Sequence, residues 1–286
     1  MHVTTTRVRE ILTRSSGFLR DVCSHSLQPY RGCSLGGSLC GVACYVQHNG
    51  WLTRGARWGS FLEVRENAAE AYRASADRER RWARAKRGRF AIFLSSSTEP
   101  FLPQEKSHGV TASVLAAMLD DAPDALILQT HTHHVADRID VLRALAARTE
   151  LRVHLSIETD REHLPSLPPH ASPVEARLTA AKTLREAGLR TIVTVSPLLP
   201  IADPHAFFAR LAACADAVVI DHFIEGDGTP DGQRTRATPL PAVMEAIEPG
   251  SSSLDYRDRI VAIAAHHLPG RVGVSRDGFA GRYLPA

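Results

Sequence analysis

The feature that most limits the folds open to this chain is an alternation that runs through its middle. A short apolar run closes on polar residues, a helical stretch follows, and the next apolar run begins. Phe90 to Leu94 leads into Ser95-Ser96-Ser97-Thr98, and Ala125 to Gln129 leads into Thr130-His131. Leu151 to Leu155 leads into Ser156-Ile157-Glu158, Thr191 to Val195 into Ser196, and Ala217 to Ile220 into Asp221-His222. Between them lie helical segments at 67–89, 111–119, 137–147, 172–187 and 204–214, the fourth stopped by Gly188. Phe61 to Arg65 alternates like one more strand. Strands separated by helices imply right-handed βαβ units and a parallel sheet. The fold class is therefore α/β. In such folds ligands bind beyond the carboxyl ends of the strands, where the polar residues fall. A lone Ser or Thr there reads as a helix cap; the same placement after five strands points to a shared pocket.

Outside this core, residues 1–28 read as a leader with a short helix over Val8 to Arg14. Residues 224–252, with Gly226, Gly228, Pro230, Gly232 and Pro239 among them, read as an irregular excursion. A helix from Ser253 to His266 and a tail, 271–283, complete a C-terminal extension, 224–286. Hydrophobic content of 44% and charged content of 23% are ordinary for a globular chain. The net charge of +3 gives little reason to expect a polyanion partner, although the basic run Arg78 to Arg89 could touch phosphates. A solvated helix end is the simpler reading of that run and the one preferred. No apolar stretch is long enough to span a membrane and no signal peptide opens the chain. Five cysteines, three of them clustered, do not make a secreted disulfide framework, so a cytoplasmic location is expected.

The clustered cysteines, Cys33, Cys40 and Cys44, stand among Gly32, Gly36, Gly37 and Gly41. Glycine lets a backbone fold tightly around something small, and converging thiolates select a soft metal or an iron–sulfur cluster. Two occupants fit the count. With His48 the set becomes Cys₃His, a closed zinc site. With three sulfurs alone, an iron–sulfur cluster keeps one iron open to another molecule. Cys23 and Cys214 lie apart and read as non-ligands.

Several segments, taken in order, resemble the spore photoproduct lyase-like branch of the radical S-adenosylmethionine (SAM) superfamily. They are Pro29-Tyr30-Arg31-Gly32-Cys33 through Cys44-Tyr45-Val46-Gln47, and Ser97-Thr98-Glu99-Pro100-Phe101-Leu102-Pro103-Gln104-Glu105. Thr130-His131, Arg138 to Leu142, Leu155 to Thr159 and Ser172 to Pro200 follow. The resemblance spans residues 17–221, and it implies a partial (βα)₆ barrel over 29–223 with a cluster loop at 32–45. It implies a [4Fe-4S] cluster on Cys33, Cys40 and Cys44 that chelates S-adenosyl-L-methionine. One electron then cleaves the sulfonium and yields a 5′-deoxyadenosyl radical that abstracts hydrogen from substrate. It further implies an electron donor such as a flavodoxin or ferredoxin. Tyr45, Ser96, Thr98, His131, Ser156 and Arg177 are the implied cofactor contacts. The substrate is not legible, and the alternative is a zinc- or cluster-bearing nucleic-acid module without radical chemistry. Three departures stand out. The cysteine spacing is C-x₆-C-x₃-C instead of C-x₃-C-x₂-C. Ser97 replaces the hydrogen-donor cysteine of the DNA-repair lyases, and His131 replaces a lysine.

Overall fold

A computed structural model describes all 286 residues. The strands, in chain order, are β1 (His2–Thr6), β2 (Leu12–Arg14), β3 (His25–Leu27), β4 (Tyr30–Gly32) and β5 (Phe61–Arg65). They continue with β6 (Ala91–Leu94), β7 (Ala125–Thr130), β8 (Glu150–Ser156), β9 (Thr191–Val195), β10 (Ala217–Ile220) and β11 (Val272–Val274). Eight of them form one sheet in the order β11-β10-β9-β8-β7-β6-β3-β2, parallel except where β2 meets β3. The edges β2 and β11 do not pair, so the sheet is an open, partial barrel. Every residue of β6, β7, β9 and β10 is buried, which is why these strands read as predominantly apolar runs without alternation.

The expected strands and helices of the middle of the chain are present. The ends differ. Residues 8–14 are not a helix: β2 occupies Leu12–Arg14 and pairs antiparallel with β3, its register set by Leu12 against Leu27. Burying Ile11 and Leu12 in the main core outweighs the helical period of that stretch. The leader thus supplies three strands, β1 joining β5 and β4 in a separate three-stranded sheet. The excursion also has structure, with short helices at Phe223–Gly226, Gln233–Arg236 and Leu240–Ile247. The tail adds β11 to the edge of the large sheet through a parallel pairing with β10.

One face of the sheet is packed by the flanking helices into a core of 53 buried residues. The inner face is smaller and is filled by Ala91, Phe93, Ala125, Ile127, Ile192, Ala217 and Val219. Phe279, from the C-terminal helix Ser275–Phe279, lies against Phe93 and the His154 ring and plugs this interior. Gly281 makes that plug possible: its φ is +83°, and a Cβ there would stand 2.5 Å from Arg152 Nη1. The filled floor leaves the opposite end, where the strands give out, as the place for a site.

The basic run lies on the helix Ala68–Arg87 and just beyond it, and its charges are largely spent within the chain. Arg73 pairs with Asp120, Arg78 with Glu10 and Glu79, Arg80 with Asp121, Arg81 with Asp77, Arg84 with Asp124 and Arg89 with Glu150. Partners this numerous leave few of these guanidinium groups free for phosphate. No helix is long and apolar enough to cross a membrane.

Candidate active site

The cysteine loop begins where β4 ends. Gly32, at φ +85°, turns the chain out of β4 against Phe61, where any Cβ would collide. Cys33 is buried and belongs to the main core. Residues 34–37 form turns, and a short helix, Leu39–Ala43, carries Cys40; Ser38 caps it by accepting from the Gly41 amide. Cys44 follows as its C-cap.

The residues inserted between the first two cysteines are absorbed by glycine packing. A Cβ on Gly41 would fall 2.1 Å from Leu35 O and 2.3 Å from Gly36 Cα. A Cβ on Gly36 would fall 2.3 Å from Gly59 Cα. Three backbone segments therefore touch where only hydrogen side chains fit, and the extra turn folds flat against residues 58–59. Gly37 is different, with nothing within 4 Å of its missing Cβ.

The three thiols share one low-dielectric region. Burial, together with the neighbouring thiols, holds Cys40 far above the ordinary thiol range; Glu158 and Glu99 add to the effect. Burial pushes Cys33 up to about 11 and, with Cys33 beside it, Cys44 up to about 12. Opposing this, backbone amides of Leu35 and Glu99 face the Cys33 sulfur, and those of Val46 and Gln47 face the Cys44 sulfur. No cationic side chain touches the sulfurs. Only a bound metal charge could hold all three as thiolates at neutral pH.

Around this loop stand the strand ends. Glu99, after β6, accepts from the Thr130 hydroxyl at 2.6 Å, the His131 amide at 2.8 Å and the Phe101 amide at 3.0 Å. It thereby ties the loop after β6 to the loop after β7. Glu158, after β8, accepts from Arg177 Nη1 at 2.6 Å and pairs with His131 Nδ1 at 2.9 Å. Burial alone would raise the Glu158 carboxyl, but Arg177 and His131 overcome it and hold the group well below the usual carboxylate range. Arg177 is 1% exposed and also donates to Ser156 O at 2.7 Å. An arginine that the helical pattern alone could place on the surface is thus a buried brace. Glu105 accepts from the Tyr30 hydroxyl and from the amides of Thr111 and Ala112, fixing β4 to the next helix.

The remaining expected contacts fall at the same rim. Ser96 Oγ accepts from Gln28 Nε2 at 2.8 Å. Thr98 is buried, and its hydroxyl makes no side-chain hydrogen bond. Ser156 Oγ accepts from Gln129 Nε2 at 2.8 Å and lies 3.0 Å from the Thr194 hydroxyl. Tyr45 lies half-buried beside Cys44, with its phenol pushed up by burial, Cys44 and Asp221. His133 turns to Ser172 at 2.7 Å and His134 to Asp137 at 3.3 Å. Cys23, ahead of the loop, faces Ser15, and Cys214 sits on the helix Pro204–Cys214; neither belongs to the loop.

Asp221, at the end of β10, was recognised in the sequence as a polar strand end and no more. It is 4% exposed; its Oδ2 accepts from Ser196, while Oδ1 has no partner. Burial pushes its carboxyl up to about 7. Ser95 Oγ, Gln129 Oε1 and Arg177 Nε are likewise buried without partners. These orphaned atoms at the ends of β6, β7 and β10 and beneath β8 are donors and acceptors suited to a polar ligand.

Comparison with known proteins places this geometry. No protein-family model matches the chain. It is 24% identical over 175 residues to the uncharacterized protein MJ0683 of Methanocaldococcus jannaschii, covering 61% of this chain and 60% of that one. It is 30% identical over 144 residues to the uncharacterized protein ORF301 of Acidianus two-tailed virus, covering 50% and 44%. The chain thus spans about half the length of the curated relatives it matches. Among solved structures it is similar to a mutant spore photoproduct lyase with bound AdoMet and dinucleoside spore photoproduct. The TM-score is 0.62 at 16% identity, over 96% of this chain and 81% of that one. A second mutant of the same lyase gives 0.63 at 17% identity over the same shares.

Proposed function

Since the fold is that of the radical SAM spore photoproduct lyase structures, we propose that this chain is itself a radical SAM enzyme. It would bind a [4Fe-4S] cluster through Cys33, Cys40 and Cys44, and S-adenosyl-L-methionine beside it. The observation that carries the reading is a glycine-closed loop on which Cys33, Cys40 and Cys44 lie near enough to raise one another's thiols, beside a rim of orphaned polar atoms. The similar lyase structure with bound AdoMet supports the same cofactor here. When bound, the cluster would supply the electron for reductive cleavage of the sulfonium and hence the hydrogen-abstracting chemistry of the enzyme.

The residues of this chain do the holding. Leu35, Glu99, Val46 and Gln47 amides stabilise the thiolates and lower the electron density on sulfur. Glu99 and Glu158 lock three strand-end loops together, so the cofactor would meet a fixed surface. His131, at the position where the resemblance places a lysine, donates Nδ1–H to the ionised Glu158, so the neutral ring would offer a ligand an oriented acceptor at Nε2. Ser96, Thr98 and Ser156 offer hydroxyls for the methionyl and ribose groups. Arg177 positions Glu158 and the Ser156 backbone from below. Tyr45 packs between the loop and Asp221.

The zinc alternative is poorly served. No three His, Cys, Asp or Glu side chains approach one point closely enough for a single ion, which needs sulfur at about 2.3 Å. His48 is exposed, turned from a buried set. Sulfurs that each grip a separate iron of a cluster stand further apart than those of a zinc tetrahedron. The dinucleoside lesion bound by the similar lyase makes a nucleic-acid substrate conceivable in kind. Ser97 argues against repair by hydrogen return from a thiol, because a serine O–H bond is too strong to give up its hydrogen readily. Neither remaining cysteine is near it.

The test is anaerobic reconstitution. The expected product is brown, holds about four irons per chain, and forms 5′-deoxyadenosine and methionine when given dithionite and S-adenosylmethionine. A colourless protein with one tightly bound zinc, or a brown one that never cleaves the cofactor, refutes the proposal.

A further inference from the structure

The segment that follows the last cysteine carries a feature that the catalytic reading leaves unused. From Val22 to Leu62 the chain contains no aspartate or glutamate. Within this stretch Trp51 is 91% exposed, the most exposed of the large hydrophobic side chains. Arg54 and Arg57 are exposed beside it in sequence, as is His48. The adjoining carboxylate, Glu63, is taken by Arg31 at 2.7 Å, and neither Arg54 nor Arg57 makes an ion pair. This contrasts with the arginines of the helix Ala68–Arg87, most of which are neutralised within the chain.

The display is held firmly. Asn49 caps the short helix Gly50–Thr53 by accepting from the Trp51 amide at 3.1 Å. Arg31, in the strand that leads into Cys33, donates to Leu52 O at 2.7 Å. Thr53 is buried. At the far end Gly59 packs against Gly36, inside the turn between Cys33 and Cys40. Both ends of the Trp51–Arg57 hook are therefore fastened to the backbone that carries the cysteines. One exposed tryptophan alone is ordinary; what sets Trp51 apart is its place beside two exposed arginines that no carboxylate neutralises.

We infer that Trp51, Arg54 and Arg57 form the docking surface for a small acidic protein electron carrier of the flavodoxin or ferredoxin class. This rests on the radical SAM reading, which requires one electron to reach the cysteine loop. The carrier gives up that electron and is oxidised by one equivalent; no bond forms or breaks in docking. Redox partners meet through small, transient contacts, typically below about 1,200 Å² in total, with one aromatic anchor and a few steering charges. A patch of one tryptophan and two arginines matches that scale. Nucleic acid would ask for a longer track of phosphate contacts, and the paired arginines of the neighbouring helix do not extend one.

The experiment compares the reconstituted wild-type protein with the Arg54→Glu/Arg57→Glu and Trp51→Ala variants, using a purified acidic flavodoxin as probe. Binding is measured by interferometry at low and at about 0.3 M salt, where the screening length falls to a few ångströms. The expected result is wild-type binding that weakens with salt, and binding by the double variant that is at least about tenfold weaker. Formation of 5′-deoxyadenosine driven by reduced flavodoxin falls in step, while formation driven by dithionite is unchanged. Unchanged flavodoxin affinity in both variants overturns the inference. So does an equal loss with both reductants, or lost binding of a single-stranded oligonucleotide with flavodoxin binding intact. If wild-type protein fails with dithionite, the radical reading falls instead, and the affinity measurement still decides the docking surface.

Discussion

The cysteine loop and the strand-end rim lie against each other and are built on opposite principles. The rim is rich in charge and almost self-sufficient: Glu99 gathers three donors within 3.0 Å, and Glu158 is matched by Arg177 and His131. The loop has no charged residue between Arg31 and Arg54, is closed by glycine-on-glycine contact, and carries three thiols that no side chain hydrogen-bonds. A buried network whose members are satisfied is scaffold; a buried set of donors that is not satisfied is a site. The comparison assigns scaffolding to the carboxylates and ligand binding to the loop and the few orphaned atoms facing it.

The sharpest way to break that contrast is Cys40→Ala. The thiol is neutral without metal, so the apoprotein should melt within a few degrees of wild type. Iron retention and 5′-deoxyadenosine formation should both disappear, measured by iron assay and by chromatography of the products. A variant that keeps its iron and still cleaves the cofactor would move the ligand set elsewhere.

Next in size is Arg177→Met. It leaves Glu158 buried with only His131 and, at 3.9 Å, His170 beside it, and breaking such a pair costs about 3–5 kcal/mol. Urea unfolding of the apoprotein should show that loss, and adding Glu158→Gln should restore much of it. Were Arg177→Met nearly neutral, the rim would not be the self-contained scaffold described above. Linkage gives the same pair a pH signature. The folded carboxyl titrates below its unfolded value, so its stabilisation is full above the unfolded pKa and is lost as pH falls toward the folded one.

How far this contrast was legible in the sequence depends on how local each cause is. β6, β7, β9 and β10 were readable because a strand covered on both faces is mostly apolar along its length. The loop was readable because cysteines and glycines are rare residues brought together. Residues 8–14 were misread, since the antiparallel partner of Leu12 lies fifteen residues on at Leu27 and only tertiary pairing selects a strand there. β11 escaped notice because three residues, Val272–Val274, are too few to show a period. Glu158 was visible as a polar strand end and Glu99 only as part of the segment Ser97 to Glu105, but their partners Thr130, His131 and Arg177 come from other units of the fold. The unusual cysteine spacing was plain. How it is absorbed was not, because Gly59, the third member of the glycine contact, lies beyond the motif.

That contact supports a prediction with its own control. Gly41→Ala puts a methyl 2.1 Å from Leu35 O, and the strain of such overpacking is about 1–3 kcal/mol. The loop should open, with iron content after reconstitution falling to a fraction of the wild-type value. Gly37→Ala meets nothing within 4 Å and should reconstitute normally. Equal behaviour of the two variants would show that glycine packing does not hold the loop.

The smallest effect separates scaffold from ligand within the rim itself. Ser156 Oγ accepts from Gln129 Nε2 at 2.8 Å, but Gln129 Nε2 also reaches Thr194 Oγ1 at 3.1 Å. Ser156→Ala therefore leaves that donor paired, and the stability cost should be about 1 kcal/mol. If Ser156 is scaffold alone, nothing else changes. The proposed role as a cofactor contact asks for more: weaker S-adenosylmethionine binding by titration, with the iron content and the visible spectrum of the cluster intact. Affinity equal to wild type would place Ser156 with Glu99 and Glu158 on the structural side of the comparison. The ligand surface would then shrink to the loop and the hydroxyls of Ser96 and Thr98.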